Sequence, residues 1–317
     1  IYCEVDSILP DKPEFDFLRD RHYRIKTIKL RGQISQGLVL DIALHLGKEA
    51  LKFEVNQDVT ELLGVTKYLP PEERETEKKK TEPPRKGLAK WLMRFAWYRK
   101  MVFKRNGKKP FPEWIEKTDE NRIQNAFNYE ELQTYTFSAT EKMDGQSGTY
   151  YYRQHRYGIC SRNYEVSIKD KSNYSQIYQA KGMKQLLKYC FKQGKQSVVI
   201  QGEVCGEKIQ GNPYKIKGIE LFIFHLYLDG KLLSYSEMNK LIEEYNQKYQ
   251  GTFQLVPLVE ASFQLPSLSD LVLKSNGQSL YNPIVKREGI VIRSNPGSPG
   301  CSFKVLSPEY LLTAEQE

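Results

Sequence analysis

Thr134–Tyr152 reads TYTFSATEKMDGQSGTYYY, and its reading decides the fold. Threonine and aromatic residues surround Lys142-Met143-Asp144-Gly145 on both sides, a composition that suits strands. Gln133–Arg153 is therefore expected to be extended and to pair with Arg156–Arg162. A lysine flanked by strand residues, with an acid two positions on, is a candidate nucleophile toward a nucleoside triphosphate. Lys-x-Asp-Gly also fits a solvated hairpin turn. What raises the first reading is the order of the signals downstream: Ser161-Arg162-Asn163, Gln201-Gly202-Glu203, Phe222-Ile223-Phe224, Glu288-Gly289-Ile290-Val291-Ile292-Arg293 and Phe303-Lys304-Val305.

The chemistry follows from the residue types. A free lysine has a pKa of ~10.4. To attack phosphorus near neutrality it must shift by ~3 units, ~4 kcal/mol, which desolvation and neighbouring positive charge can supply. A Mg²⁺ or Mn²⁺ held by Asp144, Glu203 and Glu288, largely through water, would do this and orient a triphosphate. Glu203 could instead accept from a ribose hydroxyl. Phe224 offers a π-face to a base or simply core packing, and Arg162 suits a ribose or end phosphate. Lys304, mid-strand, either points to solvent or reaches an α-phosphate. There is no G-x-G-x-x-G or P-loop, so no glycine cradle for phosphate is expected.

The remaining sequence sets the frame. The 317 residues, 39% hydrophobic and 27% charged, suffice for two compact domains. No stretch approaches the ~20 apolar residues of a membrane helix, and no signal peptide is seen, although the numbering starts at Ile1. Five scattered cysteines (Cys3, Cys160, Cys190, Cys205, Cys301) and four histidines (His22, His45, His155, His225) form no ligand-spaced set. Reduced, mostly buried thiols in a reducing intracellular compartment are expected, and zinc is not. The formal charge is +9. Pro83–Pro112 carries ten bases, among them Arg94, Arg99 and Lys100, and no acid, so a polyanionic partner is inferred. Trp91, Phe95, Tyr98 and Val102 form an apolar stripe at helical spacing, which makes a membrane-surface helix a rival reading; packing for the stripe and phosphate contact for the charges is the reading favoured.

Residues 1–70 read as a small β module, with strands at Lys26–Ser35, Leu38–Leu46 and Leu51–Val55 and a helix capped by Asp58 and ending at Gly64. An OB-like barrel is consistent with this. Residues 71–90 are a charged linker, and 91–317 form the larger domain. There, helical spacing at Met183, Leu186, Leu187 and Cys190, strands at Ser197–Cys205, Phe253–Glu260, Gly289–Ser294 and Ser302–Leu306, and a Leu221–Leu233 hairpin turning at Asp229-Gly230 are expected. Ser236 is expected to cap a helix. The fold class is α+β, antiparallel sheets with peripheral helices.

In this order the motifs, over roughly Lys117 to Leu312, resemble the covalent nucleotidyltransferase superfamily of ATP-dependent ligases and mRNA-capping enzymes. The resemblance implies an antiparallel-sheet nucleotidyltransferase (ATP-grasp-like ligase) domain. It also implies AMP on Lys142, adenine against Glu141 and Phe224, ribose or metal at Arg162 and Glu203, metal at Glu288 and α-phosphate at Lys304. Only 13 residues follow Lys304, leaving no room for the OB domain that DNA ligases and capping enzymes place there. The extra module comes first, which is similar to Deinococcus- and Naegleria-type ATP-dependent RNA ligases. Arg31–Leu38, Phe111-Pro112 leading to Lys117-Thr118-Asp119-Glu120, and Ile209–Tyr214 resemble that family too. Leu306 stands where many relatives have a second lysine, so Lys304 acts alone or with a lysine such as Lys286.

The implied activity is ATP-dependent sealing of 3′-hydroxyl/5′-phosphate RNA ends at nicks by a monomer. Lys117, Arg122, Gln124 and the basic segment would contact RNA. DNA or mixed-substrate nick sealing, or nucleic-acid binding without catalysis, are the alternative readings.

Overall fold

A computed structural model describes residues 1–30, 33–55, 57–68, 109–118, 120–126, 128–194, 196–295 and 300–314. The chain divides into two compact units, residues 1–91 with 311–317, and residues 92–310. The proposed linker and Arg94, Arg99 and Lys100 lie outside the described residues.

In the first unit, Tyr2–Glu4 pairs with Gly37–Val39 and Ser7–Ile8 with Thr66–Lys67, both antiparallel. Cys3, Val5, Leu9, Phe15, Leu18, Ile25 and Leu40 form its core. Three expectations change. Lys26–Ser35 is a hairpin of Ile28–Leu30 with Gln33–Ser35 rather than one strand. Leu38–Leu46 stops being a strand at Val39, because the Asp41 carboxylate accepts from the Ala43 amide at 2.8 Å and starts the helix Ile42–Leu46. That cap satisfies a free helical N–H, which alternation of hydrophobic residues cannot foretell. Leu51–Val55 is not a strand; a 3₁₀ turn occupies Gly47–Lys52. Asp58 does accept from Thr60 at 2.8 Å, ahead of the helix Thr60–Leu63, and Gly64 ends it at φ 70°.

The second unit is built on two sheets. In the larger, Ile219–Leu228, Ser197–Gly206, Gln146–Arg153, Arg156–Cys160 and Tyr164–Val166 run antiparallel in that spatial order. In the smaller the order is Leu258–Gln264, Thr136–Lys142, Gly289–Ser294, Ser302–Leu306, antiparallel, with Asn121–Arg122 parallel at its edge.

Gln133–Arg153 is thus not one strand. It breaks at Met143-Asp144-Gly145 and passes from the smaller sheet to the larger. Phe253–Glu260 breaks likewise, since Gln254–Leu255 joins the larger sheet and Leu258–Gln264 the smaller. The Glu141 amide donates to the Pro257 carbonyl at 2.8 Å, tying the two crossings together. A buried cluster of Met143, Cys205, Tyr214, Ile216, Phe222 and Val256 fills the junction. Burying such a side chain contributes about 1.5–3 kcal/mol, so the crossing is fixed from beneath.

Period-two alternation separates the faces of the larger sheet. Val198, Ile200 and Val204 pack with Leu186, Leu187 and Cys190 of helix Met183–Gly194, while Gln201 and Glu203 take the opposite parity. The predicted hairpin is present, with Asp229 at φ 53° and Gly230 at φ 84°, the left-handed pair that a tight β turn requires. The helix Tyr235–Tyr249 is capped by Ser234, not Ser236: Ser234 and Glu237 form a reciprocal capping box. Helices Asn173–Ala180 and Leu268–Ser275 also lie beside the sheets. All five cysteines are free, and four are buried. Among the described residues no helix is long and apolar enough to cross a membrane.

Candidate active site

Where the two crossings meet lies a cleft lined by Lys142, Glu203, Glu141, Phe224, Thr140, Val291 and Arg293, with Thr118, Glu120, Ser147, Met143 and Val256 around them. Lys142 ends its strand, opposite Gly289 on the next. Its Nζ lies 2.6 Å from Glu288 Oε2, both side chains being mostly withdrawn from solvent. Burial pulls the ammonium's pKa down, but Glu288, Glu203 and Asp144 together outweigh it and hold Lys142 above the ordinary lysine value. Three carboxylates face this amine, and their charge has the opposite sign to the one that frees a lysine for attack on phosphorus.

That excess of negative charge shows on the acids. Burial, with Glu288 and Asp144 nearby, pushes Glu203 up to about 8 despite Lys142 and Arg162. Burial also pushes Glu288 up, against the pull of Lys142 and Lys304. Asp144 is fixed from both ends: its amide N–H donates to the Tyr214 hydroxyl oxygen at 2.8 Å, and its Oδ2 accepts from the Tyr310 hydroxyl. Among the described residues no three His, Cys, Asp or Glu side chains form a closed metal cage. Hard oxygen donors carrying uncompensated charge fit a divalent cation held largely through water.

Glu141 is 1% exposed. Its Oε2 accepts from the Leu280 amide at 2.7 Å, while Oε1 is buried with no partner in the protein. An orphaned buried carboxylate oxygen is costly unless a ligand donor meets it, and an exocyclic amine of a base is such a donor. Burial accordingly raises the Glu141 pKa, against hydrogen bonds at Ser279 and Leu280. Phe224 packs half-buried at the junction cluster, with the Arg293 guanidinium 5.7 Å from its ring centroid.

The other predicted residues fall as follows. Lys304 pairs through its backbone with Val291 on one side and Arg122 on the other, and its charge acts on Glu288. Arg162 is exposed, yet its charge reaches Glu203. Lys286 is not among the cleft-lining residues; its Nζ pairs with Glu309 at 2.9 Å. Lys117 is exposed next to Thr118, and Gln124 sits half-buried in a 3₁₀ turn with a buried, unpartnered Oε1.

Sequence reasoning missed a polar relay beneath the cleft. Arg293 Nε donates to His225 Nε2 at 2.9 Å, and Arg293 Nη1 donates to Thr140 Oγ1 at 2.9 Å. His225 Nδ1 therefore carries the hydrogen toward Gln201 Oε1, 3.0 Å away, and Gln201 Nε2 donates to the Glu116 carbonyl at 2.7 Å. Burial and the adjacent guanidinium hold His225 well below its usual pKa, keeping it neutral and fixing this tautomer. Arg293 also faces Glu120 at 3.6 Å, and the Ser302 hydroxyl donates to that carboxylate. The relay thus ties the segment around Glu116–Glu120 to both sheets. Its one legible signal was parity: Gln201 shares a face with Glu203, and Arg293 with Val291.

An RNA ligase family model matches residues 135–306, and an OB-fold domain matches residues 1–42. Variants of Naegleria gruberi RNA ligase, one solved with AMP and Mn and one with ATP and Mn, are each 29% identical to the chain. They cover 100% of it and 87% of their own length, with TM-scores of 0.77 and 0.78. A structure of Naegleria gruberi RNA ligase with PPi gives 29% identity, coverage of 100% and 86%, and a TM-score of 0.77. No curated protein matches the chain.

Proposed function

The chain belongs to the RNA ligase family, and from that premise we propose that it seals 3′-hydroxyl/5′-phosphate RNA ends by way of AMP carried on Lys142. ATP is the nucleotide donor. Its adenine would lie against Phe224, with the amine meeting the orphaned Glu141 oxygen; that unpaired oxygen beside a half-buried lysine carries the reading.

In the first step Lys142 Nζ, having lost its proton, attacks the α-phosphorus. An N–P bond forms and the bond to pyrophosphate breaks. In the second, an oxygen of the RNA 5′-phosphate attacks the same phosphorus, the N–P bond breaks and Lys142 regains a proton. In the third, the 3′-hydroxyl attacks the 5′ phosphorus, forming the phosphodiester and releasing AMP. Glu288 holds the Lys142 ammonium in register between turnovers, Lys304 and Arg162 supply positive charge for phosphate and ribose, and catalysis rests on position and charge rather than on a strong base. A Mg²⁺ or Mn²⁺ held by Asp144, Glu203 and Glu288 supplies the positive charge that offsets these carboxylates and favours the free amine.

Incubation with ATP labelled at the α-phosphate and a divalent cation tests this. A covalent adduct on wild type and none on Lys142→Ala is the expected result; no adduct, or one that survives the substitution, refutes it. Nicks bearing RNA or DNA on the 3′-hydroxyl side decide whether RNA is preferred.

A further inference from the structure

On the far side of the larger sheet from Lys142, helix Met183–Gly194 presents Lys184, Lys188 and Lys192, all exposed, at intervals of one helical turn. None has an ion-pair partner among the described residues, and Lys184 Nζ lies only over the Tyr157 ring, 5.5 Å from its centroid. Like charges stacked four residues apart oppose helix formation, so this ridge is not explained by the helix itself. A solvated helix in the same unit looks different: Tyr235–Tyr249 mixes Glu237, Glu243 and Glu244 with Lys240 and Lys248. By contrast, no acid occurs between Asp170 and Glu203, while Lys171, Lys181, Lys184, Lys188, Lys192 and Lys195 do. Nearby acids have other partners: Glu220 pairs with Lys181 at 2.6 Å, Asp229 accepts from the backbone amides of Gln196 and Ser197 at 2.8 Å each, and Glu244 accepts from the Tyr189 hydroxyl of the same helix at 3.3 Å.

A groove of about 490 Å³ runs beside the ridge, lined by Tyr178, Gln179, Gly182, Lys184, Gln185 and Lys188. Ammonium groups alternate there with amide side chains that both donate and accept. The lysines recur about every 6 Å along the axis, close to the separation of successive phosphates on a nucleic-acid strand.

We infer that this face is a second RNA-binding surface, taking the sugar–phosphate backbone of a segment remote from the ends being joined. The inference rests on the RNA-ligase reading. Phosphates seat on Lys184, Lys188 and Lys192, and 2′-hydroxyls meet Gln179 and Gln185. Because Val198, Ile200 and Val204 separate the helix from the face carrying Glu203, occupancy of the ridge leaves transfer of AMP to Lys142 untouched.

The test is equilibrium binding of one RNA sequence, single-stranded or duplex, by the full chain without ATP across a salt series. The triple variant K184Q/K188Q/K192Q should flatten the slope of log K against log salt by about 2–3, since each neutralised phosphate contributes about 0.7–0.9. Its Lys142 adduct should form at the wild-type rate, and the triple arginine variant should restore the slope. Loss confined to the duplex or to the single strand identifies which RNA form the ridge holds. Coincident slopes for wild type and triple variant overturn the inference, as does loss of binding to an acidic peptide with RNA binding unchanged. Because binding is read without ATP, wild type that binds RNA on the ridge but forms no adduct would defeat only the catalytic reading.

Discussion

Gly145 offers the sharpest test of how the fold places the site. A Cβ added there would stand 2.5 Å from the Val204 carbonyl oxygen, 2.7 Å from Cys205 Sγ and 3.0 Å from Glu203 Cγ. Ordinary contact begins at 3.4 Å, so the nearest neighbour must retreat by roughly 0.9 Å. It is backbone, in the strand that carries Glu203 and pairs with Gln146, so no side-chain rotation relieves it. Overpacking of this kind costs about 1–3 kcal/mol, or about 2–4 °C of Tm per kcal/mol in a unit of this size. A displacement of the same order between Lys142 and Glu203 should slow adduct formation by about 10²-fold. Gly145→Ala is therefore expected to melt several degrees lower and to label about a hundredfold more slowly with α-labelled ATP. Gly300→Ala, whose Cβ would meet nothing within 4 Å, should match wild type in both. Wild-type labelling by Gly145→Ala would refute the argument that this crossing sets the geometry.

Other outcomes follow from the same physics. Glu203 is raised from 4.5 to about 8, so the folded protein keeps a proton that the unfolded chain has released. Without divalent cation, stability should fall as pH rises from about 4.5 to about 8 and then level off, by a few kcal/mol at most; Glu203→Gln should flatten that window in melting curves. Removing Lys142 strands Glu288, so Lys142→Met should destabilise by about 1–3 kcal/mol and the double change K142M/E288Q should recover most of it, as read by denaturant titration. His225→Leu leaves Arg293 Nε–H and Gln201 Oε1 unpaired and should cost about 1–3 kcal/mol for each stranded group, with a higher KM for ATP in adduct formation. Ser234→Ala removes a capping box and should cost about 1 kcal/mol with labelling unchanged.

Much of this site was legible because its parts are local. Lys142, Glu203, Phe224 and Lys304 each sit in a strand whose composition announces it, Glu288 immediately precedes one, and their order carries the resemblance. Parity along a strand is also local, and it puts Gln201 on the face of Glu203. What escaped depends on contacts distant in sequence. The sheet change at Met143-Asp144-Gly145 leaves alternation almost unbroken, so Gln133–Arg153 reads as one strand although its halves have different neighbours. His225 and Arg293 are separated by 68 positions and acquire meaning only as a pair. The charge around Lys142 is hidden from the sequence for a related reason: desolvation is visible in an apolar run, but the count of carboxylates around one amine requires the fold. In the small first unit, Asp41 cuts a strand short through a local side-chain cap that hydrophobic spacing does not encode.

The ion pair between Lys142 and Glu288 spans 146 positions of chain. During synthesis the lysine emerges first, and at about 5–20 residues per second its partner follows roughly 7–30 s later. Until then the strand Thr136–Lys142 lacks its neighbour Gly289–Ser294, and for most of the interval it lacks Leu258–Gln264 as well. On the proposed reading, competence for nucleotide arrives with the last strands, and a polypeptide arrested before Glu288 is expected to take up no label from ATP because its cleft is incomplete.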